Sequence, residues 1–276
     1  MKRFLSKLIG SMGLSNSSRA DMATEELRDV LDRSTESGRL RGVVALVADH
    51  SEIRFQHASG EARAGVPMKP DMLFNIASMT KLVTTIAVLQ QVEAGDLDLD
   101  VPVDRYLPEL RSIQVLEGFA NDGSPRLRPA RSVPTARELL THTSGYVYEV
   151  WNANAFEALQ RGLVESLFAG RPALNAPLAF DPGERWEYGI GIDWAGLLLE
   201  AVSGENLMGY FGSHIFGPLE MIDTAFDIPE VAMDRVMTQF GRGPTGLAEL
   251  PEQAAPGHYE STRFYNGGGG LSSTVK

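Results

Sequence analysis

The 276-residue sequence is 43% hydrophobic and 22% charged, proportions that fit one large globular domain or two closely packed ones. A formal net charge of −11 argues against nucleic acid or an anionic membrane as the main partner. With no cysteine, the chain has no disulfide, no thiolate metal site and no cysteine nucleophile.

Residues 1–21 read as a leader. Met1-Lys2-Arg3-Phe4-Leu5-Ser6-Lys7 opens like a signal peptide, but Lys7 interrupts the apolar core and no small-x-small cleavage site follows. Ser15-Asn16-Ser17-Ser18 reads as a polar linker. No apolar run reaches the ~18 residues that span a bilayer, so no integral-membrane segment is expected. The expected location is cytoplasmic, with export left open. Residues 22–39 place Leu27, Val30 and Leu31 at helical spacing, and 42–48 is a short continuous apolar run suited to a buried strand. Asp49-His50-Ser51-Glu52 supplies turn chemistry, and 53–58 alternates like the returning strand.

From residue 70 to 217 the pattern is mainly helical, with periodic segments at 78–94, 135–142, 155–168, 193–203 and 206–216. The first of these carries the most chemistry. Ser78 and Lys81 stand three apart on one helical face. The run behind them, 82–89, is apolar almost all round, which a helix tolerates when it is buried. A buried lysine is costly unless paired or neutral, and a neutral amine beside a hydroxyl is a ready base for a nucleophile. The sequence spends only five lysines (Lys2, Lys7, Lys69, Lys81, Lys276) among its 25 basic residues. Arginine cannot be deprotonated in practice and lysine can, so a lysine in this helix points to deprotonation there; a lysine that snorkels to solvent is the plain alternative. A second Ser-x-x-Lys, Ser273 to Lys276, lies at the end of the chain with no apolar helix behind it. Context separates the two.

Gly95 falls where a helix C-cap is expected. Residues 120–125 form a turn, and 126–134 read as a surface excursion rich in arginine and proline. His142 ends a helix, where a histidine caps carbonyls. Tyr188 lies in a glycine-bounded loop ahead of an apolar helix; its hydroxyl either relays a proton between lysine and serine or is satisfied in the core. Residues 240–262 resemble a flexible loop or lid, and the glycines at 267–270 allow close backbone approach near a strand. No Gly-x-Ser-x-Gly elbow occurs, and the five histidines show no metal-ligand spacing, so neither a metal nor a cofactor is expected.

Together, Ser78-Met79-Thr80-Lys81, Leu139-Leu140-Thr141-His142-Thr143-Ser144-Gly145 and Pro182-Gly183-Glu184-Arg185-Trp186-Glu187-Tyr188 resemble the serine β-lactamase-like hydrolases, which include class C β-lactamases, penicillin-binding proteins and family VIII carboxylesterases. The stretches 115–131 and 267–274 are similar to the esterase branch in particular. The resemblance implies a two-part α/β (α+β) fold, an antiparallel sheet flanked by helices plus an all-helical part. In this chain the α/β part would comprise 22–70 and 217–276, and the helical part 71–216, with the active-site cleft at their interface. It implies that Ser78 is the acylated nucleophile and that Lys81 accepts or tunes its proton. Tyr188 would be the second base and acid; which of Lys81 and Tyr188 takes the first proton stays open. The Ser78 N–H would be one oxyanion donor. Tyr146, Tyr148 and Trp151 would lie at the pocket wall as substrate contacts.

Two departures bear on function. The β-lactamases of this group carry Tyr-x-Asn, and here Ile190 stands two residues after Tyr188, which favours simple esters over β-lactams. The group's later Lys-Thr-Gly or Trp-containing glycine strand has no counterpart before Lys276, so C-terminal strands, a final helix and a second oxyanion donor are expected outside this sequence. The reading is a carboxylesterase acting on small-molecule, short-chain esters through an acyl-serine. A β-lactamase or promiscuous cephalosporin hydrolase is the first alternative and a non-catalytic β-lactamase-like binding protein the second. Oligomeric state is left open.

Overall fold

The computed structural model describes residues 16–244, 246–250 and 264–276. These fall into two compact units. One holds the described chain up to Leu73, the stretch from Ala232 to residue 250, and Thr274–Lys276; the other holds Phe74–Val231 and residues 264–273.

The first unit begins with helix α1 (Asn16–Glu36), so the polar stretch from Asn16 to Ser18, expected as linker, is already helical. Strands β1 (Gly42–Ala48) and β2 (Ile53–Arg63) pair antiparallel, with Val44 opposite Ala58, and β3 (Val66–Pro67) folds back on β2. The turn between β1 and β2 closes as its residues predict: the Asp49 carboxylate accepts from the Ser51 and Glu52 N–H groups. Strand β2 runs five residues past its expected end. The stretch expected as a loose lid is in part a hairpin of Phe240–Gly243 and Gly246–Glu249. Its glycines mask a strand pattern in composition, but Phe240 pairs with Glu249 and Arg242 with Leu247. The remainder of that stretch, 251–262, and most of the expected leader lie outside the described residues.

In the second unit, β4 (Phe74–Asn75) pairs with the short strand Ser272–Ser273. Helix α2 (Thr80–Ala94) follows a single 3₁₀ turn and ends at Gly95, whose φ of +83° is the left-handed cap the sequence calls for. Strands β5 (Gln114–Phe119) and β6 (Pro125–Pro129) form a ribbon across the expected turn; β6 falls where a surface excursion was expected. Helix α3 (Ala136–Leu140) starts with a capping box in which Thr135 and Glu138 satisfy each other's backbone N–H groups. Helix α4 (Ala153–Gln160) stops short of its expected end at 168, and a separate 3₁₀ turn covers Leu167–Ala169. Helix α5 (Gly191–Ser203) is buried from Gly191 through Leu199, and α6 (Leu207–Phe211) runs into a π turn. Burying Leu197, Leu198 and Leu199 contributes about 1.5–3 kcal/mol each, and α2 and α3 pack against this helix. Among the described residues no helix is long and apolar enough to cross a membrane.

Candidate active site

A tight turn delivers Ser78. The Asn75 side chain accepts the Ala77 N–H at 2.6 Å, and Ala77 takes a φ of +42°, a left-handed conformation that costs an alanine on the order of 1 kcal/mol. Ser78 then sits in the 3₁₀ turn Ala77–Met79 at the head of α2, exposed, with Lys81 one turn further on. Lys81 is only 7% exposed and does not snorkel. Its Nζ donates to the Gly268 carbonyl at 2.6 Å, the Tyr148 hydroxyl at 3.1 Å and Ser78 Oγ at 3.3 Å. An ammonium has three N–H donors, so all three are placed. The amine also faces two rings, at 5.0 Å from the Tyr188 centroid and 5.4 Å from that of Tyr148.

The glycine segment closes the site from behind. Thr84 Oγ1 donates to the Gly267 carbonyl at 2.7 Å, and Thr80 Oγ1 accepts the Leu271 N–H at 3.1 Å. The Gly268 N–H is shared between Asp193 Oδ1 at 3.0 Å and Asn266 Oδ1 at 2.9 Å. A Cβ at Gly268 would stand 2.3 Å from Asp193 Oδ2, so glycine is required there. The close approach expected of this run is real, and the partners are helices α2 and α5. Asp193 is 3% exposed. Burial pushes its carboxyl up to about 6, against the opposing pull of the Lys81 charge and the Gly268 N–H.

The rings of Tyr148, Trp151 and Tyr188 form one cluster, with centroids 5.4–5.8 Å apart. Trp151, Asn152, Ala153, Trp186, Glu187 and Tyr188 line an open depression of about 540 Å³. The loop carrying Tyr188 is fixed at several points. Asp181 receives both terminal nitrogens of Arg128 at 2.9 and 2.8 Å, the Glu187 N–H reaches the His142 carbonyl at 2.9 Å, and Asn152 Nδ2 reaches Glu187 Oε1 at 2.7 Å. Among the described residues His142 donates to no helix carbonyl. Its ring lies 4.5 Å from that of Tyr188 and its Nδ1 accepts the Gly189 N–H at 3.4 Å, while burial, and secondarily Lys81, lowers it to about 4.

Ser78, Lys81, Tyr148, Trp151 and Tyr188 are therefore brought together, Tyr188 through its ring. Tyr146 is not among them: it is a core residue whose ring stacks on Trp194 at 5.8 Å, and burial raises its hydroxyl well above the usual range. Tyr148, expected only at the pocket wall, is the tyrosine whose hydroxyl bonds Lys81 among the described residues. Asp193 and Gly268 did not figure among the expected site residues. A carboxylate inside the apolar stretch Ile190 to Leu199 was a signal of the same kind as Lys81.

The fold and this corner define a serine β-lactamase-like protein. The chain belongs to the β-lactamase family, which it matches over residues 27–276. It is 34% identical to the acyltransferase mokF of Monascus pilosus over 235 residues, 82% of this chain and 56% of that protein. It is 36% identical to the esterase EstB of Burkholderia gladioli over 251 residues, 85% of this chain and 60% of that one. The structure resembles simvastatin synthase from Aspergillus terreus (LovD6 mutant) with a TM-score of 0.81 at 33% identity, covering 96% of this chain and 65% of that one. The chain thus spans less than two thirds of the length of these relatives.

Proposed function

We propose that the protein is a carboxylesterase that cleaves short-chain esters through an acyl-serine at Ser78. One observation carries this reading: an exposed serine hydroxyl stands 3.3 Å from a buried lysine amine. With Lys81 neutral, its lone pair takes the Ser78 proton as Oγ attacks the ester carbonyl. The oxyanion forms at the head of α2, where the Ser78 N–H and the positive end of the helix favour negative charge. Collapse expels the alcohol, which leaves with the proton that Lys81 holds. A water then attacks the acyl-serine and gives its proton to the Lys81–tyrosine pair, releasing the acid and restoring the Ser78 hydroxyl. In this scheme Tyr188 is the second acid and base, and the Tyr148 hydroxyl on Lys81 is a further route for the proton.

The similarity to the acyltransferase mokF and to simvastatin synthase supports a second reading, in which an alcohol replaces water as acyl acceptor on the same intermediate. Ile190, where a β-lactamase of this group has asparagine, supports esters over β-lactams.

Turnover of p-nitrophenyl butyrate, with and without an added alcohol, and of a chromogenic cephalosporin separates these outcomes. Ester cleavage with water as acceptor is expected; transfer to the alcohol alone, or cephalosporin cleavage alone, overturns ester hydrolysis as the main activity. Ser78→Ala is expected to abolish acyl labelling by mass spectrometry, and an adduct that persists removes Ser78. Tyr188→Phe is expected to slow turnover by about a hundredfold, the typical worth of a general acid–base group. If Tyr148→Phe is the slower of the two, the relay runs through Tyr148 instead.

A further inference from the structure

The buried carboxylate of Asp193 has no part in the scheme above, yet it is one residue removed from Lys81 by hydrogen bonds. Its Oδ1 receives the Gly268 N–H at 3.0 Å, and the carbonyl of that same glycine receives Lys81 Nζ at 2.6 Å. We propose that Asp193 is a positioning residue for Lys81: its carboxylate anchors Gly268, and the Gly268 carbonyl fixes one N–H of the amine so that its other valences meet the hydroxyls of Ser78 and Tyr148. The inference rests on the acyl-serine reading.

The chemistry of the partners makes the arrangement directional. A carbonyl oxygen only accepts, so at Gly268 the amine must donate. Ser78 and Tyr148 are hydroxyls, which donate or accept. When Lys81 is neutral it has two N–H groups and one lone pair, and the lone pair is therefore directed at a hydroxyl. If Gly268 shifts, that choice is lost. The space around Gly268 is equally specific, since a Cβ there would collide with Asp193 Oδ2 and Oδ1. Asn266 Oδ1 also holds the Gly268 N–H, but as a neutral acceptor; an ionised carboxylate makes the stronger bond. Among the described residues the charged group acting on Asp193 is Lys81, from α2; the other influences are the Gly268 N–H and a backbone N–H of its own helix. The hold on Gly268 therefore weakens as Asp193 gains a proton, around pH 6.

The test compares wild-type protein, Ser78→Ala and Asp193→Asn in the rate of labelling by a fluorophosphonate between pH 4.5 and 8.5. Asparagine keeps an acceptor oxygen and loses the charge, so the variant mimics protonated Asp193. The wild-type rate divided by that of Asp193→Asn is expected to be near one at low pH and to rise through pH 6 to about tenfold. Taking the ratio cancels ionisations that the substitution leaves unshifted, a packing defect would lower the rate equally at every pH, and the Gly268 amide resonance of the wild-type protein distinguishes loss of the Asp193 contact from a shift of Lys81. A ratio that is flat with pH overturns the inference while labelling confined to Ser78 leaves the acyl-serine reading intact. Labelling that persists in Ser78→Ala overturns the reading itself. Should Asp193→Asn not fold, the Gly268 amide resonance of the wild-type protein decides the contact: it is expected to titrate near pH 6, and an amide that does not move overturns it.

Discussion

On its inner side α2 presents Thr80, Lys81 and Thr84, which are 0, 7 and 0% exposed; on its outer side it presents Leu82, Ile86 and Leu89, which are 66, 41 and 40% exposed. A helix of a globular protein ordinarily turns these the other way. The inner side is tolerable because each polar group is matched to a specific backbone atom of the glycine segment: Thr80 to the Leu271 N–H, Lys81 to the Gly268 carbonyl, Thr84 to the Gly267 carbonyl. Ala87 and Val88 carry the apolar part of that side. The all-round burial expected of 82–89 is therefore wrong for three of its leucine and isoleucine positions. Polarity on this helix thus follows the site, while the longest buried apolar stretch lies on α5, against which α2 itself packs.

The largest test of that division is Lys81→Arg. The substitution keeps a buried cation and the chance to bond Gly268, and it removes a group that can give up its proton. Ester turnover is expected to fall at least a thousandfold, measured as kcat/KM, if Lys81 is the base or part of it. A variant with a wild-type rate would reduce Lys81 to a structural cation and leave the inner side of α2 as packing alone.

This corner was legible in the sequence to the extent that single residues announced it. Lys81 stood out because lysine is scarce and its helix apolar, and the family resemblance added Tyr188. Asp193 satisfied the same physical criterion, a charge inside an apolar helix, but the residues that give it meaning, Gly268 and Asn266, lie some 75 positions away and have no spacing to betray them. Tyr148 was legible as a residue near the pocket, and its bond to Lys81 depends on the path of a loop that no local pattern encodes. Strand β6 is a similar case. Its prolines and arginines read as surface, while its place is set by Glu117 on the facing strand and by Asp181, which is 53 residues from Arg128. Tyr146 shows the opposite error: aromatics close together in one short run read as one wall, whereas Tyr146, 2% exposed, lies in the core with its ring on Trp194.

A middle-sized effect separates the inner side into chemistry and support. Thr84 touches none of the reacting groups, and its hydroxyl bonds the carbonyl of Gly267, next to the glycine that holds Lys81. Thr84→Val is nearly isosteric and leaves that buried carbonyl without its donor, so unfolding free energy is expected to drop by about 1–3 kcal/mol. Urea titration followed by circular dichroism measures it. The inward polarity would be dispensable for stability if the valine variant equalled or exceeded the wild type.

The smallest expected effect lies on the outer side. Leu82 is one residue from Lys81 and mostly in solvent, so Leu82→Gln gives up little buried area and replaces one good helix former with another. The change in unfolding free energy is expected to stay within about 0.5 kcal/mol, the usual range for surface substitutions. Ester turnover is expected to stay within a factor of two, because the hydrogen bonds that join Lys81 to Ser78, Tyr148 and Gly268 do not involve Leu82. The same urea titration and the same p-nitrophenyl butyrate assay read both quantities. A loss above about 1.5 kcal/mol would show that Leu82 is packed after all, and the contrast between the two sides of α2 would then be one of chemistry without being one of burial.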